Sequence, residues 1–188
     1  MTATATAAAP AIAAGTWTID PTHSEVSFSV RHLMVAKVRG TFTRFSGTIT
    51  TGDAAEAGAV EATIEVASVD TRDERRDTHL RSADFFDVEQ HPAMTYRSTA
   101  VRADGDGYVV DGELTLKGVT RAVPLRLEFN GAGADPWGGT RAGFSASAEI
   151  NRRDFGVDIS MPLETGGVVV GDRIAIHLEV EATLTPAA

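Results

Sequence analysis

The 188-residue sequence predicts an all-β protein, an eight-stranded antiparallel barrel of the up-and-down type with one short helical insertion between strands three and four. Three observations point there. Apolar residues recur at every second position through most of the chain, short glycine-rich links join the alternating runs, and the inward positions include many small side chains. Alternation means that each strand hides a single face. Closing the sheet on itself buries that face and removes exposed edges. A two-sheet sandwich shows the same alternation, so the interior decides: Ala62, Ser98, Ala100, Gly112, Ala146 and Ala148 fall on the inward side, where a solid core uses larger groups. An eight-stranded barrel encloses one small ligand.

Trp17 and Ile19, followed by Val26, Phe28 and Val30, mark the first strand. The second runs over residues 40–50, where Phe42 and Phe45 break parity and predict a bulge or a change of face. The third, 60–68, sets Val60, Ala62, Ile64 and Val66 against Glu61, Thr63 and Glu65. Residues 71–92, TRDERRDTHLRSADFFDVEQHP, break this pattern. They predict two short helical pieces capped by Asp70 or Thr71, with Asp73 and Glu74 in the first turn, where the helix dipole favours acids. Leu80, Phe85 and Phe86 then anchor the insertion to the interior or mouth, and its arginines and acids nearly cancel.

Strand four, 93–102, turns Met94, Tyr96, Ser98 and Ala100 inward, and the glycines at 105 and 107 make a turn into strand five, 108–116, with Val110, Leu114 and Leu116. After a turn at Gly118, Val123, Leu125, Leu127 and Phe129 define strand six, and 131–139 reads as an irregular loop. Strand seven carries Phe144, Ala146, Ala148 and Ile150. Strand eight is the most regular, with Ile174, Ile176, Leu178, Val180, Ala182 and Leu184 on one face.

Composition removes several functions. The formal charge is -9, from 26 acidic and 17 basic residues, so no positive footprint for nucleic acid exists at the level of net charge. The absence of cysteine excludes thiol catalysis, cysteine-ligated metal and disulfides. No run approaches the roughly 20 apolar residues of a membrane span, so stable membrane insertion is not expected. Residues 1–15 read as a flexible leader without the basic start and bulky apolar core of an export signal, leaving a domain over 16–185 and a cytoplasmic expectation.

The five histidines, His23, His32, His79, His91 and His177, lack the spacing of a helical metal site, and neither a metal nor a catalytic residue is expected. Asp20, His23 and Ser24 suggest a hydrogen-bonded turn. Arg76 and Asp77 are expected to fix the helix over the barrel, Arg76 donating to Asp77 or to strand carbonyls. The alternative has Arg76, His79 or Arg81 meeting a ligand head group. Asn151, Arg152, Asp154, Phe155 and Gly156 have the character of a tight turn, with Phe155 capping one barrel end, and Trp137 is expected to be exposed.

Five motifs in order carry a resemblance. They are W-x-I-D-x-x-H-S-x-V-x-F-x-V-x-H from Trp17 to His32, G-x-F-x-x-F-x-G from Gly40 to Gly47, S-V-D-T at 68–71 with R-D-x-H-L-R-S-x-D-F-F-D from Arg76 to Asp87, G-x-L-T-L-K-G-V-T from Gly112 to Thr120, and N-R-x-D-F-G from Asn151 to Gly156. Over residues 16–184 the chain resembles the YceI-like family of polyisoprenoid-binding proteins. That resemblance implies a lipocalin-like barrel holding a long isoprenoid lipid, polyprenyl phosphate-like or quinone-like, with no other cofactor, no established catalysis and a possible homodimer. The expected ligand contacts are Val26, Phe28, Val30, Phe42, Ile64, Met94, Tyr96, Leu114, Leu125, Leu127, Phe144, Ile176 and Leu178, joined by His32, His79, Leu80, Phe85 and Phe86. An enzyme acting on an apolar substrate and a ligand-free structural or stress-linked barrel are the rival readings.

Overall fold

The computed structural model describes residues 12–33, 35–159 and 169–186. Each of the eight expected strands is present, several of them in two pieces. The first comprises β1 (Gly15–Ile19) and β2 (Glu25–His32), and the second β3 (Ala36–Phe42) and β4 (Phe45–Thr51). The third comprises β5 (Ala59–Glu65) and β6 (Val69–Asp70). There follow β7 (Ala93–Asp104), β8 (Gly107–Leu116), a short β9 (Val119–Ala122), β10 (Leu125–Ala134), β11 (Thr140–Asn151) and β12 (Val170–Leu184). Antiparallel neighbours run β1, β4, β5, β7, β8, β10, β11, β12, and pairing of β12 with β1 closes the ring.

Residues 20–24 loop out between β1 and β2, and β12 runs straight past the gap. It pairs with β1 over Ala182–Leu184 and with β2 from Glu179 back to Val170. Ser24 bridges the interruption, its Oγ accepting from the Glu181 N–H (2.9 Å) and donating to the Glu181 carbonyl (3.2 Å). The parity break between Phe42 and Phe45 is similarly real. Thr43 and Arg44 separate β3 from β4, and buried Ser68 takes the Arg44 N–H on its Oγ at 3.0 Å.

The third strand stops at Glu65, short of the expected residue 68, because Val66–Ser68 coil into a single 3-10 turn that lets Ser68 reach this break. The inward position after Ser98 is Val101, not Ala100. A register shift between Ser98 and Ala100 turns Ala100 out to solvent, and the Val60 N–H donates to Ser98 Oγ at 2.8 Å. Residues 131–134 are strand paired to 140–143 rather than loop, so the irregular segment shrinks to 135–139. Lys117 (φ 51°) and Gly118 (φ 73°) form the two-residue turn between β8 and β9.

Helix α1 (Glu74–Arg81) begins later than the sequence suggests: Asp73, not Asp70 or Thr71, is its cap, accepting from the Arg76 N–H at 3.0 Å. Thr71 serves the helix from outside. The Asp77 carboxylate, 4% exposed, accepts the Thr71 backbone N–H at 3.0 Å and its hydroxyl at 2.5 Å. Arg76 donates to Thr71 Oγ1 and to the Thr71 carbonyl, both at 2.7 Å, so Arg76 and Asp77 act on one threonine instead of on each other. Arg81 donates to the carbonyls of Ala67 and Val69. Together these bonds suspend α1 across the space between β6 and the strands beyond it.

The opposite barrel end is held by charge. Arg141 donates to Asp20 Oδ2 at 2.8 Å, to the Glu181 carboxylate, and through Nε to Asp135 Oδ2 at 3.2 Å. Hydrogen bonds from Thr22, His23 and Arg141 hold the Asp20 carboxyl far below the usual carboxylate range. The expected turn network at Asp20, His23 and Ser24 thus extends to β11, to β12 and to the loop at 135–139. Trp17, fully buried, donates its indole N–H to Thr51 Oγ1 at 3.0 Å beside this end. Of the expected leader, residues 1–11 lie outside the described residues, but the Ala13 carbonyl accepts from Thr51 Oγ1 at 2.6 Å and Gly15 already belongs to β1.

Two outcomes follow from these anchors. Asp77→Ala leaves a buried backbone N–H unpaired, and chemical denaturation should show a loss of about 2–3 kcal/mol, with amide exchange in α1 rising before that in the barrel. A carboxyl with a depressed folded pKa contributes stability above its unfolded value and loses it as the pH falls through the folded value. Arg141→Gln brings the Asp20 carboxyl back toward its ordinary range, so acid unfolding followed by circular dichroism should begin at a higher pH than in the unsubstituted protein.

Candidate functional site

The barrel does not fill its own interior. A cavity of about 250 Å³ runs along the inner faces of the sheet. Every apolar contact residue that the sequence proposes lines it, from Val26, Phe28 and Val30 on β2 to Ile176 and Leu178 on β12. Phe42, Ile64, Met94, Tyr96, Leu114, Leu125, Leu127 and Phe144 complete the walls, and Leu80, Phe85 and Phe86 cover one end. Ala62 and Ala146 supply the room, as small inward residues should.

Lining residues such as Leu116, Val123, Ile150 and Ile174 are inward by strand parity yet were not among the proposed contacts. Ile49 shares the parity of Phe45 and was legible in the same way. Val157 and Val170 flank the stretch 160–168, which lies outside the described residues, and neither belongs to a regular alternation.

Polar atoms directed inward are already engaged. Tyr96 Oη lies 3.0 Å from the carbonyls of both Val110 and Val123, and burial, reinforced by the nearby Asp111 charge, pushes its phenol well above the ordinary tyrosine value. It stays a protonated donor. Gly112 faces the same hydroxyl, and a Cβ there would stand 2.4 Å from Tyr96 Oη. Arg152, 4% exposed, spends its guanidinium on the carbonyls of Val157 (2.5 Å) and Gly171 (3.1 Å) and on Asp172 (2.8 Å). Its burial was not signalled by the turn motif that contains it. In that turn Asn151 accepts the Arg153 N–H, Gly156 adopts φ 70° and Phe155 is buried, as expected, whereas Asp154 is exposed.

A second space of about 530 Å³ adjoins the cavity through Phe28, Val30, Leu80, Phe85 and Val170. It forms a mouth between the β2–β3 hairpin and α1, and its chemistry is different. Arg31, His32, Arg75, Arg76 and His79 line it with Asp73. His32 and His79 therefore stand at the mouth and not on the apolar wall. The His79 ring packs edge-on against Phe85 at 5.0 Å between centroids, and its Nε2 lies 2.9 Å from Asp84 Oδ2. Arg81, tied to strand carbonyls, is not part of the mouth, and Arg76 reaches it only while bound to Thr71.

At the far end Asp20, His23 and Glu181 bring potential metal-ligand atoms within 4.8 Å of one another. The Arg141 guanidinium already bonds both carboxylates, and a cation would have to displace it. His177 is exposed on the outer face of β12. Among the described residues no helix is long and apolar enough to cross a membrane.

The architecture and these motifs agree with known proteins. The model of the YceI-like domain matches residues 17–182. Protein YceI of Escherichia coli is 45% identical over 136 residues, which are 72% of this chain and 71% of the relative. In three dimensions the chain is similar to BcnA of Burkholderia cenocepacia, with a TM-score of 0.75 at 26% identity over 87% of this chain and 98% of the other. A polyisoprenoid binding domain from Saccharophagus degradans shares the fold with a TM-score of 0.68 at 18% identity, covering 90% and 98% of the two chains. The closed barrel, its suspended helix, the five motifs and a family match spanning nearly all of the sheet lead to one conclusion: the chain belongs to the YceI-like domain family.

Proposed function

We propose that this protein binds a long isoprenoid lipid, its tail in the barrel and its head at the mouth, and that it carries or sequesters the lipid without transforming it. The carrying observation is an apolar cavity whose inward polar atoms are already hydrogen-bonded, opening onto a space lined by arginines and histidines. A branched hydrocarbon gains about 0.8 kcal/mol for each buried methylene-sized group and asks for no hydrogen bond in return. Family membership supports the same ligand class, and the Saccharophagus domain of the same fold is described as polyisoprenoid-binding.

The mouth favours an anionic head. Arg31 and Arg75 offer guanidinium groups suited to phosphate oxygens, against a single carboxylate, Asp73, which already accepts the Arg76 N–H. A polyprenyl phosphate therefore fits better than a quinone. Apart from Tyr96 and Arg152, whose polar atoms are spent on backbone carbonyls and Asp172, the titratable side chains gather at the mouth, away from the carbon chain, which supports binding over chemistry on the tail.

Native mass spectrometry of protein prepared without detergent, before and after incubation with a polyprenyl phosphate, should show a one-to-one lipid adduct. Absence of both a co-purifying lipid and any uptake would sink the proposal. Ala146→Leu together with Ala62→Leu should fill the cavity and reduce uptake by about tenfold or more while keeping the barrel folded. Arg31→Ala with Arg75→Ala should weaken a polyprenyl phosphate about tenfold more than the corresponding polyprenol, and equal losses would favour a neutral head group.

A further inference from the structure

The β2–β3 hairpin has a composition that the cavity does not explain. From Val26 to Gly52 the sequence contains no acid, although the whole protein carries a charge of -9. Within that stretch Arg31 pairs with Lys37 across the hairpin and Ser29 with Arg39, so the three cations share the outer face. All three are exposed. At the tip the chain turns through Leu33, which is 39% exposed with φ 51°, and Val35, which is 81% exposed. An aliphatic tip beside a cationic hairpin face is the arrangement that meets a surface with anionic head groups and acyl chains beneath.

The position matters as much as the composition. His32 pairs with Val170, and Arg31, His32 and Val38 line the mouth, so this tip stands beside the space that adjoins the apolar cavity. On the side away from β2, β3 pairs among the described residues only through Thr41 and Phe42 with β6, leaving the Ala36–Gly40 edge open beside the mouth. Salt screens exposed charges beyond roughly 8–10 Å, so acids on the far side of the barrel do not set the field at this face; nearer to it, Asp70 stands opposite Thr41 of β3, and Asp172 is already engaged by Arg152 and Arg153.

We propose that the β2–β3 hairpin docks the protein peripherally on an anionic bilayer, with Val35 and Leu33 entering the head-group layer and Lys37 and Arg39 facing lipid phosphates. The mouth is thereby seated against the phase in which an isoprenoid lipid resides. In purpose this rests on the lipid-carrying reading, but docking and loading are separate measurements.

Sedimentation with vesicles of phosphatidylcholine alone, and of phosphatidylcholine and phosphatidylglycerol in equal parts, tests the surface at low and physiological salt. Binding should appear on the mixed vesicles only and fall as salt rises. Lys37→Glu with Arg39→Glu should lower it by at least about tenfold, and Val35→Ser should lower it several-fold, while thermal unfolding by circular dichroism stays close to that of the parent protein. Reversal to glutamate retains the charge by which an edge strand resists pairing, so the loss would report the sign of the charge and not aggregation. No binding to either vesicle, or equal binding by parent and variants, overturns the proposal. So does a dimer, seen by light scattering, that Val35→Ser dissolves without changing vesicle binding, since a second copy would then cover the tip. Loading measured in parallel by native mass spectrometry separates the two readings: lipid uptake without vesicle binding removes the docking surface alone, and vesicle binding without uptake removes the lipid-carrying function alone.

Discussion

One constraint organises this molecule: a sheet with a single continuous apolar face has to close on itself, and β12 performs the closure. Its fifteen residues pair with β11 along one side and with both β1 and β2 along the other. A strand that long tolerates an interruption in its partner, because the two halves of the first strand are registered against it independently. The loop-out at residues 20–24 follows, with Ser24 replacing the backbone bonds that the detour removes. So does the Asp20–Arg141–Glu181 cluster, which sits where the interruption brings four separate segments together.

Closure is complete at that end and incomplete at the other. Strand β5 pairs with β7, but the short continuation β6 does not, and the chain fills the space with α1. A helix lying across a gap lacks the ladder bonds that hold a strand, so it has to be attached through side chains. Thr71, Asp77, Arg76 and Arg81 make those attachments with buried or half-buried hydrogen bonds. The same gap is the mouth. A structure that closed fully on both ends would have no entrance, and the polar cost of suspending the helix is offset by bonds that also orient Leu80 and Phe85 over the cavity.

The interior is apolar by construction. Tyr96 and Arg152, the large polar side chains that reach it, are bonded to backbone carbonyls or to Asp172 and present their apolar parts to the void. Small residues on opposite walls leave space that aliphatic side chains from neighbouring strands cannot reach. Walls whose side chains do not meet across the space forgo dispersion contacts with one another, which is the physical reason a hydrocarbon occupant gains by entering.

The sequence by itself determined the all-β class, the strand parity, the place of the helical insertion and the apolar identity of the cavity wall. Val26, Phe28, Ile64, Leu114, Leu127 and Ile176 were legible because which face a side chain takes depends only on its position along its own strand. Tertiary structure decided the rest. Ala100 lies outside because β7 shifts register against β8, Asp73 caps α1 because Thr71 is drawn to Asp77, and residues 131–134 are strand because β11 pairs with them. Arg141 meets Asp20 across a sequence separation of 121 residues. Alternation is a local property that the order of residues carries. Bulges, caps and ion-pair clusters depend on what the neighbouring segment offers, and that neighbour exists only once the barrel has closed.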